Sequence, residues 1–331
     1  MARVKPQNGD NGSGVLAQVA LMANVSTGTV SRVFNNSALI PSETRSVVLS
    51  AARKLGFRPR VGVRNKQIAL ITEPPQKTVM GGYVNTLTQY ICFALSRANA
   101  GITMITEDRI GDLSDCWFDG IIGIAWEDKT VELLKSLHNI PVAWLSDMYA
   151  DSFHTVYLDR FATGRMAGEY LIKKGHQMIA VIHETDYTGL GRVSGVGEAL
   201  AEHGLDPAKH LLKLPNTMSL HLAVKQLLDS GCTAVWVTGE DMKVLEVNWL
   251  IQELAGKRVP EDISLMGFEN PGISEFQRPS LTTIASPLRE IAEAAVKIVL
   301  TDRHEHLEKV ELSTRVIERN SVCAIKNVQQ H

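Results

Sequence analysis

The sequence predicts an α/β protein: an N-terminal helix-turn-helix head followed by a larger body of doubly wound parallel sheets. Three observations carry that expectation. Positive charge gathers at one end of the chain, the same end shows helical periodicity, and short apolar runs alternate with amphipathic helices through the remainder. The 331 residues are too many for one ordinary domain and comfortable for two or three. The formal charge of −2 conceals an asymmetry: residues 1–66 hold ten Lys or Arg against Asp10 and Glu43, a balance of +8, leaving 24 bases and 34 acids in the other 265. A basic head on an acidic body directs the head towards a polyanion, with nucleic acid the favoured one. Apolar content of 44% with 21% charged excludes disordered and fibrous classes. The longest apolar run, near residues 120–126, is too short to span a bilayer, so no membrane partner is expected. Residues 1–14 are polar and glycine-rich with no apolar signal region, so a disordered tail is expected and a secretory leader is not. Cys92, Cys116, Cys232 and Cys323 lack CxxC spacing, which fits reduced thiols in a cytoplasmic protein and leaves no metal or disulfide framework to expect.

The head elements follow from spacing and caps. Val15, Leu16, Val19, Ala20 and Ala23 recur at three, four and seven, one apolar face of a short helix. Asn24-Val25 interrupts it, and Ser26 is a good N-cap for a second helix over 27–34. Val30, Val33 and Phe34 face inward there, leaving Thr27, Gly28, Thr29, Ser31 and Arg32 outward. Pro41-Ser42-Glu43 opens a third helix with Val47, Val48, Ala51, Ala52 and Leu55 inward and Gly56 at its end. Two short helices joined by a tight turn, with small polar residues opening the second, are the pattern that places a helix in the DNA major groove.

In the body, strands are expected over 68–72, 102–106, 120–125, 142–146, 155–158, 178–183, 233–238, 263–268 and 281–286. Helices fall between them, for example over 83–99, 160–174, 222–231 and 242–255. Nine such runs exceed one comfortable sheet, so two subdomains are expected.

The stretch Leu16–Asn35, LAQVALMANVSTGTVSRVFN, resembles the DNA-binding head of the lactose/galactose/purine repressor family. Glu43-Thr44-Arg45 and AARKLGFRP over 51–59 resemble its third helix and exit turn. MAGEYLIKKGH (166–176), VPEDISLMGFEN (259–270), SLTTIASP (280–287) and RVIERNSV (315–322) resemble later landmarks of the same family in order. The resemblance spans residues 15–323. It implies a periplasmic-binding-protein-like body of two lobes with an effector cleft between them. The domain plan is then a tail (1–14), a head (15–59), a shortened hinge (60–67), and an effector-binding and dimerisation region (68–331). Within that region the first lobe takes about 68–154 and 287–313, the second about 155–286 and 314–327.

By the resemblance, Thr27, Gly28 and Arg32 stand at base-reading positions and Ser26, Thr29, Ser31 and Asn35 at phosphate-contacting ones. Arginine pairs bidentately with guanine O6/N7, while Gly28 has no side chain to read with. Relatives follow the exit proline with a hinge helix whose leucine wedges into the minor groove. Here the segment is short, Gly62 weakens any helix, and Lys66 replaces the leucine; Arg60 and Arg64 remain to enter a narrow minor groove electrostatically. Between Asp108 and Asp119 only ten residues stand where relatives have a full helix, so that helix is expected to be lost or reduced to a turn, altering the dimer face.

The resemblance also places effector contacts. Arg192 matches an arginine that grips effector oxygens, a geometry suited to vicinal hydroxyls or a carboxylate. Glu269 replaces the usual aspartate, its extra methylene carrying the carboxylate further into the cleft. Asp159, Glu240 and Asp241 follow expected strands, where such folds bind ligands, although each also reads as a helix cap or solvated carboxylate. The stretch 214–218 lacks the relatives' stacking aromatic, and Lys243 and Leu245 are bulky where relatives are small.

Enzymatic readings fare poorly. Gly189-x-Gly191 lacks the third glycine of a dinucleotide loop, Ser194 lacks a nucleophile elbow, and His183 has no base–nucleophile partner. His304-Glu305-His306 reads as a solvated turn. No cofactor is expected. The resulting expectation is a cytoplasmic, homodimeric regulator, a repressor by preference, binding a pseudo-palindromic operator and a sugar-like effector. The alternatives are a DNA-binding regulator with a ligand-insensitive body and, further behind, a stand-alone sugar-binding protein.

Overall fold

A computed structural model describes residues 11–35, 37, 39–57, 65–74, 82–114, 116–124, 127–137, 140–239, 242–301 and 304–325. Helix α1 spans Asn11–Met22, so residues 11–14 belong to a helix and not to the expected 1–14 tail. Asn24 then takes a left-handed backbone (φ 51°), and the Val25 amide donates to the Ala20 carbonyl at 2.9 Å, closing α1 and setting the turn. Helix α2 (Thr27–Phe34) and helix α3 (Ser42–Lys54) complete the head. Val19, Ala23, Val30, Val33, Phe34, Val48, Leu49 and Ala52 are among the side chains closing its core. One expected core position is corrected: Val47 is 46% exposed while Leu49 is fully buried. The inward stripe of α3 runs through 48, 49 and 52, one residue round from the stripe that the apolar spacing marks.

The body contains twelve strands among the described residues. In chain order they are β1 (Gln67–Thr72), β2 (Gly101–Thr106), β3 (Gly120–Gly123), β4 (Val142–Trp144), β5 (His154–Leu158), β6 (Ile179–His183), β7 (Leu211–Pro215), β8 (Ala234–Val237), β9 (Ser264–Phe268), β10 (Thr282–Ala285), β11 (Lys309–Leu312) and β12 (Arg315–Ile317). The helices among them are α4 (Tyr83–Arg97), α5 (Asp128–Ser136), α6 (Arg160–Lys173), α7 (Tyr187–Glu202), α8 (Pro207–His210), α9 (Leu220–Asp229), α10 (Lys243–Trp249) and α11 (Leu288–Leu300). None is long and apolar enough to cross a membrane. Between β2 and β3 there is only a 3₁₀ segment, Glu107–Ser114, in place of a full helix.

The strands form two six-stranded sheets, ordered β11-β5-β4-β3-β1-β2 and β12-β10-β9-β8-β6-β7. Pairing is parallel from β9 through β8 and β6 to β7, and β12 runs antiparallel to β10. All nine expected strands are present, most shortened by a residue or two. The three that the sequence pattern misses, β7, β11 and β12, are edge strands with half-exposed residues, so they carry no continuous apolar run.

The chain divides into two compact units, one of Met1–Lys77, Ile91–Thr155 and Glu293–Lys309, the other of Thr78–Tyr90, Val156–Ala292 and Val310–His331. The head is counted with the first. In the first unit, Ile71, Ile105, Leu113, Phe118, Ile121 and Trp144 lie in one apolar cluster. In the second, β6 alternates: Ala180 and Ile182 enter one cluster with α9 and α10, while Ile179 and Val181 enter another with α6 and α7. That alternation is what a parallel strand covered on both faces requires.

Two buried histidines make the fold sensitive to acid. His154 is 7% exposed, its ring centroid 4.1 Å from that of His304. Its Nδ1 accepts the Glu308 amide at 3.0 Å, while His304 Nδ1 lies 2.9 Å from the Glu308 carboxylate. An imidazole that accepts an amide proton must be neutral there. Burial chiefly, and then His304, push its pKa down against a smaller upward pull from Glu308. Burial likewise lowers His176, held between Thr233 Oγ1 at 2.9 Å and the Cys323 carbonyl at 3.1 Å. The unfolded chain therefore takes up these protons first, and stability falls as pH drops below about 6.5. Urea midpoints measured at about pH 7.5 and pH 5.5 are expected to differ, and His154→Gln to narrow the difference; an equal difference in the variant would refute the assignment.

Candidate nucleic-acid interface and effector site

The head presents a small polar surface on a capped helix. Ser26 has an extended backbone and accepts the Thr29 amide on Oγ at 3.0 Å, with the Thr29 hydroxyl also 2.9 Å away. Ser26 thus performs the capping role that its sequence position allows. Thr27, Gly28, Ser31, Arg32 and Asn35 are exposed, and Thr29 is half-buried beneath the cap. Helix α2 buries Val30, Val33 and Phe34 on its other side, so core packing turns the polar residues outward. The loop leaving α2 is fastened by Arg45, which donates to the Ser37 carbonyl at 2.7 Å, and by the Ser37 amide on Arg32 O at 3.0 Å. At Gly28 an added Cβ would meet only Ser26 Oγ, at 3.7 Å. The glycine is therefore no packing requirement, and the second position of α2 carries no side chain. Arg60 and Arg64 lie outside the described residues.

The exit from the head is anchored in the first unit. Lys66 Nζ donates to the Leu300 carbonyl at 2.6 Å, a cation at the C-terminal end of α11. The Gln67 amide donates to Asp119 Oδ2 at 2.8 Å. Lys66, standing where relatives' leucine would be, is thus engaged within the body.

In the second unit, polar side chains converge at the carboxyl ends of β6, β8 and β9, where parallel sheets bind ligands. Gly164 makes this convergence possible, because a Cβ there would collide with the Arg192 carbonyl of α7. Helices α6 and α7 approach closely as a result, with Arg160 and Arg192 on them. Arg192 stacks 4.4 Å from the Phe268 ring centroid and lies 3.7 Å from Glu184 Oε1. Glu184 in turn accepts the Thr238 hydroxyl at 2.7 Å and sits over Gly239, which has no side chain to block it. Arg160 stacks 3.8 Å from the Tyr187 ring centroid. Burial pulls the Arg160 guanidinium below its ordinary pKa, opposed by Tyr187 and Asp186 and reinforced by the like charge of Arg192. The cluster offers two guanidinium faces, an acceptor and an exposed aromatic, a set suited to an oxygen-rich ligand.

Of the expected effector residues, the structure brings Arg192 into this cluster and gives two others different duties. Asp159 caps α6, accepting the Ala162 amide at 3.0 Å. Glu269 has both oxygens taken by Arg319, with two donations at 2.8 Å, and also accepts the Thr283 hydroxyl. The expected reach into a cleft is corrected accordingly: the longer side chain closes a bidentate pair on the segment following β12. Glu240 and Asp241 lie outside the described residues. Arg160, Glu184, Tyr187, Thr238 and Phe268 were missed by motif reading. Their only sequence signal is position, each just before, at or just after a strand's carboxyl end. The 214–218 stretch has no aromatic, and the aromatics of this cluster are Tyr187 and Phe268, each under a guanidinium. Among the described residues no group of three His, Cys, Asp or Glu side chains gathers to hold a metal ion.

Comparison with known proteins bears on the family and the fold. Residues 15–60 match the lacI family of bacterial regulatory proteins, and residues 169–322 match the periplasmic binding protein-like domain. The chain is 28% identical to the HTH-type transcriptional repressor PurR of Klebsiella pneumoniae over 340 residues, covering 93% of this chain and 96% of the repressor. Among solved structures, the transcriptional regulator CelR in complex with cellobiose shares 25% identity and a TM-score of 0.65, covering 92% of this chain and 99% of that one. A LacI family transcriptional regulator from Enterococcus faecium with bound ribose shares 26% identity and a TM-score of 0.65, covering 79% of this chain and all of that one.

Two substitutions test these roles. Gly28→Ala is expected to leave the fold intact and raise stability by about 0.5 kcal/mol in urea denaturation, since alanine is the better helix former. A clear loss would mean that the glycine is structurally required. Arg319→Met strands a largely buried Glu269 carboxylate and is expected to cost about 3 kcal/mol. Most of that loss should return in the Arg319→Met, Glu269→Gln double variant, and a double variant no better than the single would show that the pair is unimportant.

Proposed function

We infer that the chain is a member of the lacI family of bacterial regulatory proteins, whose model matches residues 15–60, and that it is an effector-controlled, DNA-binding transcription regulator that acts as a repressor. The observation that carries this reading is the capped helix α2 with Thr27, Gly28, Ser31 and Arg32 exposed along it. Ser26, Thr29, Ser31 and Asn35 hold phosphates and set register, while Arg32 reads a guanine edge. Arg60 and Arg64 add minor-groove charge. The protein works as a homodimer, because two heads related by a twofold axis match a pseudo-palindromic operator. Its place is the cytoplasm, supported by DNA as partner and by four free cysteines.

The effector binds at the strand ends of the second sheet, gripped by Arg192 and bedded on Phe268. A carbohydrate or carbohydrate derivative fits the paired guanidinium groups and the aromatic faces. Glu240 and Asp241 are further effector contacts in this reading, while Asp159 and Glu269 shape the site by holding α6 and the segment after β12. Effector binding biases the protein between two states of different operator affinity, which is all that control requires. The reading is non-enzymatic, in line with relatives that are transcriptional repressors.

Selection of duplexes from a random library, at two salt concentrations, tests the function directly. A recovered pseudo-palindrome whose affinity falls steeply with salt is expected, and Arg32→Ala should then lose about 1–3 kcal/mol of discrimination at one base pair per half-site. Recovery of no sequence by the folded protein, with or without candidate sugars, would overturn the reading. Arg192→Ala is expected to keep ligand-free operator affinity and lose the response to the effector. An operator complex indifferent to every ligand in both proteins would establish a ligand-insensitive body instead.

A further inference from the structure

We propose that the 107–119 segment of the first unit is a docking platform for the DNA-reading head, with Trp117 and Arg53 as positioning residues that set the spacing of operator half-sites. The proposal rests on the regulator reading above for its DNA consequence, but its physical basis is independent of it.

The platform faces two ways. Ile110, Leu113 and Phe118 point into the apolar core of the first unit. Trp117, adjacent to Phe118, instead joins the core of the head and is only 4% exposed. Phe34, the last residue of α2, meets the Trp117 ring edge-on at 5.2 Å and 89°, and Phe57 packs against Phe34 at 5.3 Å with its ring tilted by 48°. Arg53, in the last turn of α3, donates to the carbonyls of Leu113 at 3.0 Å and Cys116 at 3.1 Å. These carbonyls lie at and just beyond the end of the 3₁₀ segment, where a cation is favoured. The indole Nε1 of Trp117 is 3.4 Å from Asp119 Oδ1, while Asp119 Oδ2 holds the Gln67 amide at 2.8 Å. One short segment therefore links the head core, the first-unit core and the start of β1.

Docking leaves the reading surface free, since Thr27, Gly28, Ser31 and Arg32 remain exposed. The reduction of a full helix to the 107–114 turn falls where the platform lies, so the shortening serves the head. In a dimer, heads fixed to their bodies hold one separation, whereas heads joined by a linker alone sample many.

The test uses the full-length protein with Trp117→Ala, Trp117→Phe and Arg53→Met. Backbone 15N relaxation reports whether head amides tumble with the body, without DNA. Operator affinity is then measured on duplexes whose half-sites are moved together or apart by single base pairs, with an isolated half-site as control. In the wild type the head is expected to tumble with the body, and one base pair of misplacement to cost about tenfold in affinity. Trp117→Ala is expected to free the head and flatten the spacing profile to about threefold, with isolated half-site affinity retained. Arg53→Met should do the same more weakly, and Trp117→Phe should restore most of the profile. A head that tumbles independently in the wild type overturns the platform, as does a spacing profile that stays sharp in Trp117→Ala. A wild-type head that tumbles with the body while no operator is ever selected would sustain the platform and sink the regulator reading alone.

Discussion

Parallel strands have to be covered on both faces, and the functional geometry of this protein follows from that constraint. In β6 it sends Ala180 and Ile182 one way and Ile179 and Val181 the other, so helices must pack on each side. Covering helices leave the strand ends as the place where polar side chains gather. The close approach of α6 and α7 at Gly164 brings Arg160 and Arg192 there, and Phe268 at the end of β9 provides the apolar bed. The site is a consequence of how the sheet is covered, with few residues reserved for it alone.

Arginines show how surroundings decide the work of a single residue type. Arg32 stands exposed on α2, while Arg45 and Arg53 are committed to backbone carbonyls within the head and first unit. Arg319 is held by Glu269, whose hydrogen bonds raise its pKa, and Arg192 lies flat on an aromatic ring. A charge balance of +8 over residues 1–66 therefore overstates what faces DNA, because some of that charge is spent on holding the head together. Guanidinium planarity explains why the other three tasks fall to arginine: the same fork caps carbonyls, pairs a carboxylate and stacks.

The chain is firmly fastened where it enters the first sheet. Lys66 is tied to α11 and Gln67 to Asp119, so β1 begins from fixed points. Trp117 and Asp119 belong to the same fastening.

Local patterns in the sequence determined the three head helices, the Ser26 cap, the alternation of strands and helices in the body and the division into two sheets. Caps, turns and apolar periodicity act within a few residues, so they survive in one dimension. The half-buried edge strands β7, β11 and β12 escaped because they bury too little to leave a pattern. Motif likeness singled out Arg192, yet its neighbours Glu184, Tyr187 and Phe268 became visible only in three dimensions. Tertiary structure alone decided that Glu269 would pair with Arg319, fifty residues away, and that Trp117 would face the head while Phe118 faces the body. Such choices depend on which surfaces meet when distant segments pack, and no periodicity along the chain records that.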